Sequence, residues 1–91
     1  MIESDADRLT YLQAFGVVAS TDRGELLGIF DRDYAAADDV EVRVPMLECR
    51  TSDVARLKVA KGTPVMIDGS AFTVRRAEPD GTGMTKLVLG E

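Results

Sequence analysis

Residues 65–90, VMIDGSAFTVRRAEPDGTGMTKLVLG, restrict the possible fold more than any other stretch of this chain. Two Asp-Gly pairs, at 68–69 and 80–81, separate three short runs of alternating apolar residues. Alternation with a period of two places one set of side chains on one face of a strand. Asp-Gly suits the two-residue type I′ loop, whose twist matches that of a hairpin. With Asp68-Gly69 as that loop, Val65 lies opposite Phe72 and Ile67 opposite Ser70, and Val65, Ile67, Phe72 and Val74 share an inner face. Residues 78–83 form a second, looser loop, after which Val74 is expected opposite Leu87 and Phe72 opposite Leu89. Thr73, Arg75 and Lys86 then lie on the outer face, with Arg75 and Lys86 as near neighbours of like charge. That face is either solvated or a surface for an acidic partner.

The start of the chain reads differently. SDADRLTYLQAFG, residues 4–16, predicts one short helix with Ser4 as N-cap, Asp7 three residues on, and Gly16 as the C′ residue. Leu9, Leu12, Tyr11 and Phe15 recur at spacings of three and four and make an apolar side. A helix of this length is marginal alone and must pack on something. It either caps the core or is an arm that orders on binding.

Val17 to Ser20 and Glu25 to Asp31 predict two strands around the turn Thr21-Asp22-Arg23-Gly24, with Gly28 marking a bulge or a close backbone approach. The pattern then lapses, and Arg32 to Asp39 reads as a loop carrying one aromatic, Tyr34, and an acidic end, Asp38-Asp39. Loops of this length are often mobile or functional. Val40, Val42 and Val44 resume a strand on one face, and Pro45 requires a break, a bulge or an edge. Leu47 and Cys49 continue inward. Thr51 or Ser52 is expected to cap a short helical turn in which Val54 and Leu57 pack. Gly62 ends that turn, and Thr63-Pro64 lead into the meander.

The expected fold is therefore mainly β: a small β-barrel or sandwich of five to six antiparallel strands, with an N-terminal helix and one short internal helical turn. Residues 1–91 are read as one domain, with 1–16 as helix or arm and 17–91 as barrel. A chain of 91 residues buries only about 60–65% of its unfolded surface, so an isolated copy is marginal and self-association or a partner is a natural supplement. Cys49 is the only cysteine, which excludes an internal disulfide.

Several chemistries have no residues to carry them. The chain has no histidine, so it has no His-based triad, no His metal ligand and no imidazole base. Cys49 therefore reads as a small core residue, not an activated nucleophile. Acidic pairs at Asp5-Asp7, Asp31-Asp33 and Asp38-Asp39 lack EF-hand spacing and read as solubilising. The GTG at 81–83 is a hairpin loop and not a dinucleotide fingerprint. A net charge of −5 opposes general phosphate binding. No apolar run approaches a membrane span, and the acidic start does not fit a signal peptide, so a cytosolic protein without catalytic, cofactor or metal sites is expected.

From Gly24 onward the order of features resembles the head–tail joining, or attachment, proteins of lambda-like tailed bacteriophages and prophages. The resemblance is carried by Gly28-Ile29-Phe30-Asp31, the run Arg50 to Leu57 (RTSDVARL), Gly62-Thr63-Pro64-Val65 and Glu78-Pro79-Asp80-Gly81. It implies a non-enzymatic structural subunit at the neck of the virion, made in the host bacterial cytoplasm. It further implies a ring-forming homo-oligomer, monomeric or weakly associated when free. Its partners would be the head-completion or portal protein on one side and the tail terminator protein on the other, with DNA passing nearby without specific binding. The loop carrying Arg32, Asp33, Tyr34, Asp38 and Asp39 would face the channel or a neighbouring ring. The N-terminal helix, through Leu9, Leu12 and Phe15, would be an assembly surface. Another neck or tail subunit, such as a tail terminator or tube-like protein, and a small ligand- or peptide-binding barrel are the competing readings.

Overall fold

The computed structural model describes residues 4–35 and 43–90. Among them, β1 (Val17–Thr21), β2 (Gly24–Ala35), β3 (Arg43–Arg50), β4 (Pro64–Ile67), β5 (Ser70–Pro79) and β6 (Met84–Gly90) close into an antiparallel barrel. The order around the barrel is β1-β2-β3-β6-β5-β4. Helix α1 (Asp5–Phe15) precedes the barrel and lies over β2 and β3, and α2 (Thr51–Arg56) links β3 to β4.

The interior is filled by the residues whose alternation predicts it. Val65, Ile67, Phe72 and Val74 join Leu47, Cys49, Leu87 and Leu89 in one buried cluster, closed by Ala19, Leu26, Leu57 and Val59. Phe30 packs against this cluster, with its ring centroid 5.6 Å from that of Phe72. Burying each such large side chain contributes roughly 1.5–3 kcal/mol, so the barrel core outweighs any polar contact in holding the fold. The Asp68-Gly69 hairpin pairs Val65 with Phe72 and Ile67 with Ser70, and both turn residues have positive φ, as a type I′ loop requires. Gly28 marks a close approach: a Cβ there would meet Leu47 at 2.6 Å and the Glu48 carbonyl at 3.0 Å.

Four expectations need correction. First, Arg32, Asp33 and Tyr34 are not loop; β2 continues through them to Ala35 and pairs Tyr34 with Val44. Between Asp31 and Tyr34 the ladder shifts, so Arg32 and Asp33 stand opposite Pro45 alone. A bulge forms where proline offers no N–H to the ladder. Asp38, Asp39, Val40 and Val42 lie outside the described residues.

Second, Val74 pairs with Leu89, not Leu87, so Leu89 is not opposite Phe72. The reason is that β5 runs on through Glu78 and Pro79, expected in the loop, and pairs Pro79 with Thr85. The later loop puts Lys86 opposite Glu78 instead of Arg75. The extra residue Arg75 then moves the ladder back by one, so that Val74 meets Leu89 and not Gly90. A potential like-charge neighbour is thereby replaced by an opposite-charge one. Third, neither Thr51 nor Ser52 caps α2. Arg50 occupies the N-cap position without a side-chain cap bond, while Thr51 Oγ1 lies 2.8 Å from Thr85 Oγ1 and Ser52 Oγ donates to Asp5. Fourth, Gly16 ends α1 in an extended conformation, not a left-handed one. Glycine is needed there for space, since a Cβ would lie 2.6 Å from the Leu12 carbonyl oxygen and 2.8 Å from that of Gly28.

Candidate assembly surface

Helix α1 is attached by its beginning. Ser4 Oγ accepts from the Asp7 amide at 3.1 Å, and the Asp7 carboxylate accepts from the Ser4 amide, which completes the capping box. Asp5 Oδ2 accepts from Arg50 Nη1 at 3.0 Å and from Ser52 Oγ at 2.8 Å. Arg8 donates to the Thr82 carbonyl and lies against Gly83 in the β5–β6 loop. Leu12 is the one fully buried residue of the helix. Few apolar contacts hold α1 in place, so these polar ties decide its position.

Behind the first tie lies a charged cluster. Asp53 is 2% exposed, and its carboxylate takes paired hydrogen bonds of 3.0 Å from Arg50 Nε and Nη2. Arg56 Nη2 reaches the same carboxylate at 3.0 Å and also the Glu25 carbonyl. Hydrogen bonding to Asp53 raises Arg50 above the ordinary guanidinium range. With both oxygens engaged, Asp53 is a fastening, not a base. Cys49 is equally inert: burial pushes its thiol up to about 12, with Asp53 and Glu48 adding to the effect.

The outward side of the helix is different. Tyr11 and Phe15 are 51% and 69% exposed, with ring centroids 5.0 Å apart. Val17, Val18 and Met66 are the other large hydrophobic residues exposed among those described. Val17, Val18 and Met66 line a shallow concavity with Ser20, Asp68 and Gly69, and Val17 is separated from Phe15 only by Gly16. The exposed large apolar side chains therefore form a strip from the end of α1 across β1 to β4. Such a strip marks an interaction surface.

Residues 2–89 match the model of the phage head–tail attachment protein family. The chain belongs to this family. It is a structural neck protein that joins head and tail. The match runs from before α1 almost to the end of β6, so it takes in the helix as well as the barrel of this attachment protein. A comparison with curated proteins finds no match. No helix among the described residues is long and apolar enough to cross a membrane.

The attachment protein distributes the sequence-selected residues unevenly. Phe15 stands outward on α1, Leu9 is half-buried, and Leu12 is fully buried beneath the helix. Arg32 and Asp33 are exposed at the β2 bulge. The Arg32 guanidinium lies 5.0 Å from the Phe30 ring centroid, and the Asp33 amide donates to Asp31 Oδ1 at 2.9 Å. Tyr34 is half-buried, with the Lys86 ammonium 5.6 Å from its ring centroid.

Val17, Val18 and Met66 carry a signal that alternation alone overlooks. Val17-Val18 and Val65-Met66-Ile67 are consecutive apolar residues within strands. In a pleated strand neighbouring side chains point to opposite faces. Val18 beside inward Ala19, and Met66 between inward Val65 and Ile67, must therefore point outward. Val17 shares the parity of Ala19 and is exposed at the start of β1.

Proposed function

We propose that this attachment protein works as one subunit of a homo-oligomeric ring at the virion neck. The head-completion or portal protein lies on one side of the ring and the tail terminator protein on the other. In this reading residues 1–91 act as one unit that needs no cofactor. The protein is made in the host bacterial cytoplasm, stays monomeric or weakly associated when free, and joins the filled head during assembly. DNA passes the ring without being bound specifically.

The observation that carries this reading is the confinement of the exposed large hydrophobic residues to one strip, Tyr11, Phe15, Val17, Val18 and Met66. One apolar strip among the described residues of an acidic chain suits a subunit that remains soluble until it is incorporated. The β2 segment Arg32, Asp33 and Tyr34, with Asp38 and Asp39 beyond it in sequence, supplies a second, polar contact toward the channel or an adjoining ring. Leu9 and Phe15 contribute to assembly from α1, and Leu12 contributes by holding that helix in place.

The test is complementation. Heads lacking their own joining protein are mixed with the purified chain and with tails, and infectious particles are counted. Restored infectivity is expected, with the protein retained on isolated head–tail particles. Heads that gain neither the protein nor infectivity rule the proposal out.

A further inference from the structure

We propose that the apolar strip of one copy packs against Arg75 and Arg76 on β5 of a second copy, head to tail. This rests on the ring-subunit reading above and identifies the two faces that meet.

The second face carries two neighbouring arginines, one of them without a partner among the described residues. The extra residue at Arg75 shifts the β5–β6 ladder, and both Arg75 and Arg76 are exposed. Bulges re-aim side chains in this way. Arg76 pairs with Glu78, while Arg75 lies along the Gly90 backbone and has no hydrogen-bond or ion-pair partner among the described residues. An exposed planar cation suits an aromatic face, and the strip presents Tyr11 and Phe15. Asp68 is the one charged residue lining the concavity of the strip, opposite in sign to the arginines.

The two faces are distinct but lie on neighbouring walls of the barrel. β1 and β4 carry the strip's Val17, Val18 and Met66, and β5 follows β4. A contact between two different patches is heterologous, so it propagates from copy to copy and closes into a ring when the rotation permits. Strip packed on strip would bring Asp68 toward Asp68 and leave Arg75 unused. The opposite charges of the two faces therefore favour a second copy as the occupant.

The test uses the full chain with single substitutions, Val18→Cys in one preparation and Arg75→Cys in an isotopically heavy one. Cys49 is buried and stays out of the reaction. The two are mixed at high concentration, and separately on complemented heads, and joined with a short bis-maleimide. Mixed V18C–R75C adducts are expected well above the twofold excess over either homodimer that random pairing of equal amounts gives. Mixed adducts at or below that twofold excess, or no adduct in either setting, overturn the contact.

Phe15→Ser should weaken self-association about tenfold, as the loss of a central aromatic anchor does. Arg75→Asp should weaken it by up to about fivefold. Unchanged association in both variants, with circular dichroism showing intact folds, also overturns it. Infectivity separates the two proposals. Wild-type rescue without adducts on heads removes this contact and keeps the neck role, whereas adducts in solution without rescue do the reverse.

Discussion

Asp53 and Arg50 face each other across the first turn of α2 through two parallel hydrogen bonds, each 3.0 Å long. The pair takes the place of a side-chain cap and continues outward, because Arg50 also holds Asp5 of α1. The buried partner is the vulnerable one. Asp53→Ala leaves Arg50 without its main counter-charge and should cost about 3 kcal/mol. Arg56 is more than half exposed, so Arg56→Ala should cost about 0.5 kcal/mol. Urea unfolding midpoints at an unchanged slope provide the comparison. Equal losses for the two variants would contradict this account of the cluster.

Cys49 adds an alkaline dependence to the stability of the protein. Its thiol ionises near 9.0 when unperturbed and at about 12 in the fold, where burial keeps it neutral. The raised value means that this contribution to stability is whole below pH 9. It declines as the pH rises toward 12, because the unfolded chain loses the proton first. The slope attributable to this group is about 1.4 kcal/mol per pH unit. Subtracting the stability curve of Cys49→Ala should show that slope above pH 9 and a constant offset below it. In the same experiment a thiol reagent should label the wild type only after denaturant is added.

Gly16 is limited by oxygen atoms that cannot move aside. A methyl group there would press on the carbonyls of Leu12 and Gly28, both backbone. Gly16→Ala should therefore lose about 1–3 kcal/mol and displace the end of α1. A control is available at Gly69, which has open space around it but needs a left-handed φ of 81°. Gly69→Asn should be tolerated within about 1 kcal/mol, since asparagine accepts that conformation. Thermal unfolding of the two variants distinguishes crowding from backbone preference.

The helix should detach from its polar end. Asp5→Asn weakens the tie to Arg50, and Ser4→Ala removes the cap, at a cost of about 1 kcal/mol. Amide exchange in Asp5–Phe15 should accelerate in both variants while the core strands β3 and β6 keep their protection. Global loss of protection would show that the helix and barrel unfold as one unit.

The hairpins were legible because local chemistry and hydrophobic pattern agree there. Asp68-Gly69 sets both the turn and the register, and every inward residue expected of β4 is buried. The errors fall where polar residues hide the continuation of a ladder. Glu78 and Pro79 resemble loop residues, yet β5 runs through them and their pairing with Lys86 and Thr85 sets the register. The extra residue Arg75 moves Val74 only from Gly90 to Leu89. Arg32 and Asp33 likewise hide a bulge behind loop-like polarity, although Pro45 on the facing strand offers the clue. Asp53 was missed because its two arginines stand three residues before and three after it, a spacing that marks one helix face only once α2 is recognised. The assembly strip was half visible, through Phe15 on α1. Its β1 and β4 members depend on which of two adjacent apolar residues turns outward.

The packed interior of the barrel, with Leu47, Ile67, Leu87 and Leu89 at its centre, sets a limit on how the neck can be built. Among the described residues the barrel leaves no lumen that could serve as a conduit. In the proposed ring, whatever travels from head to tail goes past the outer walls of these barrels, and the width of that passage depends on how the copies are spaced.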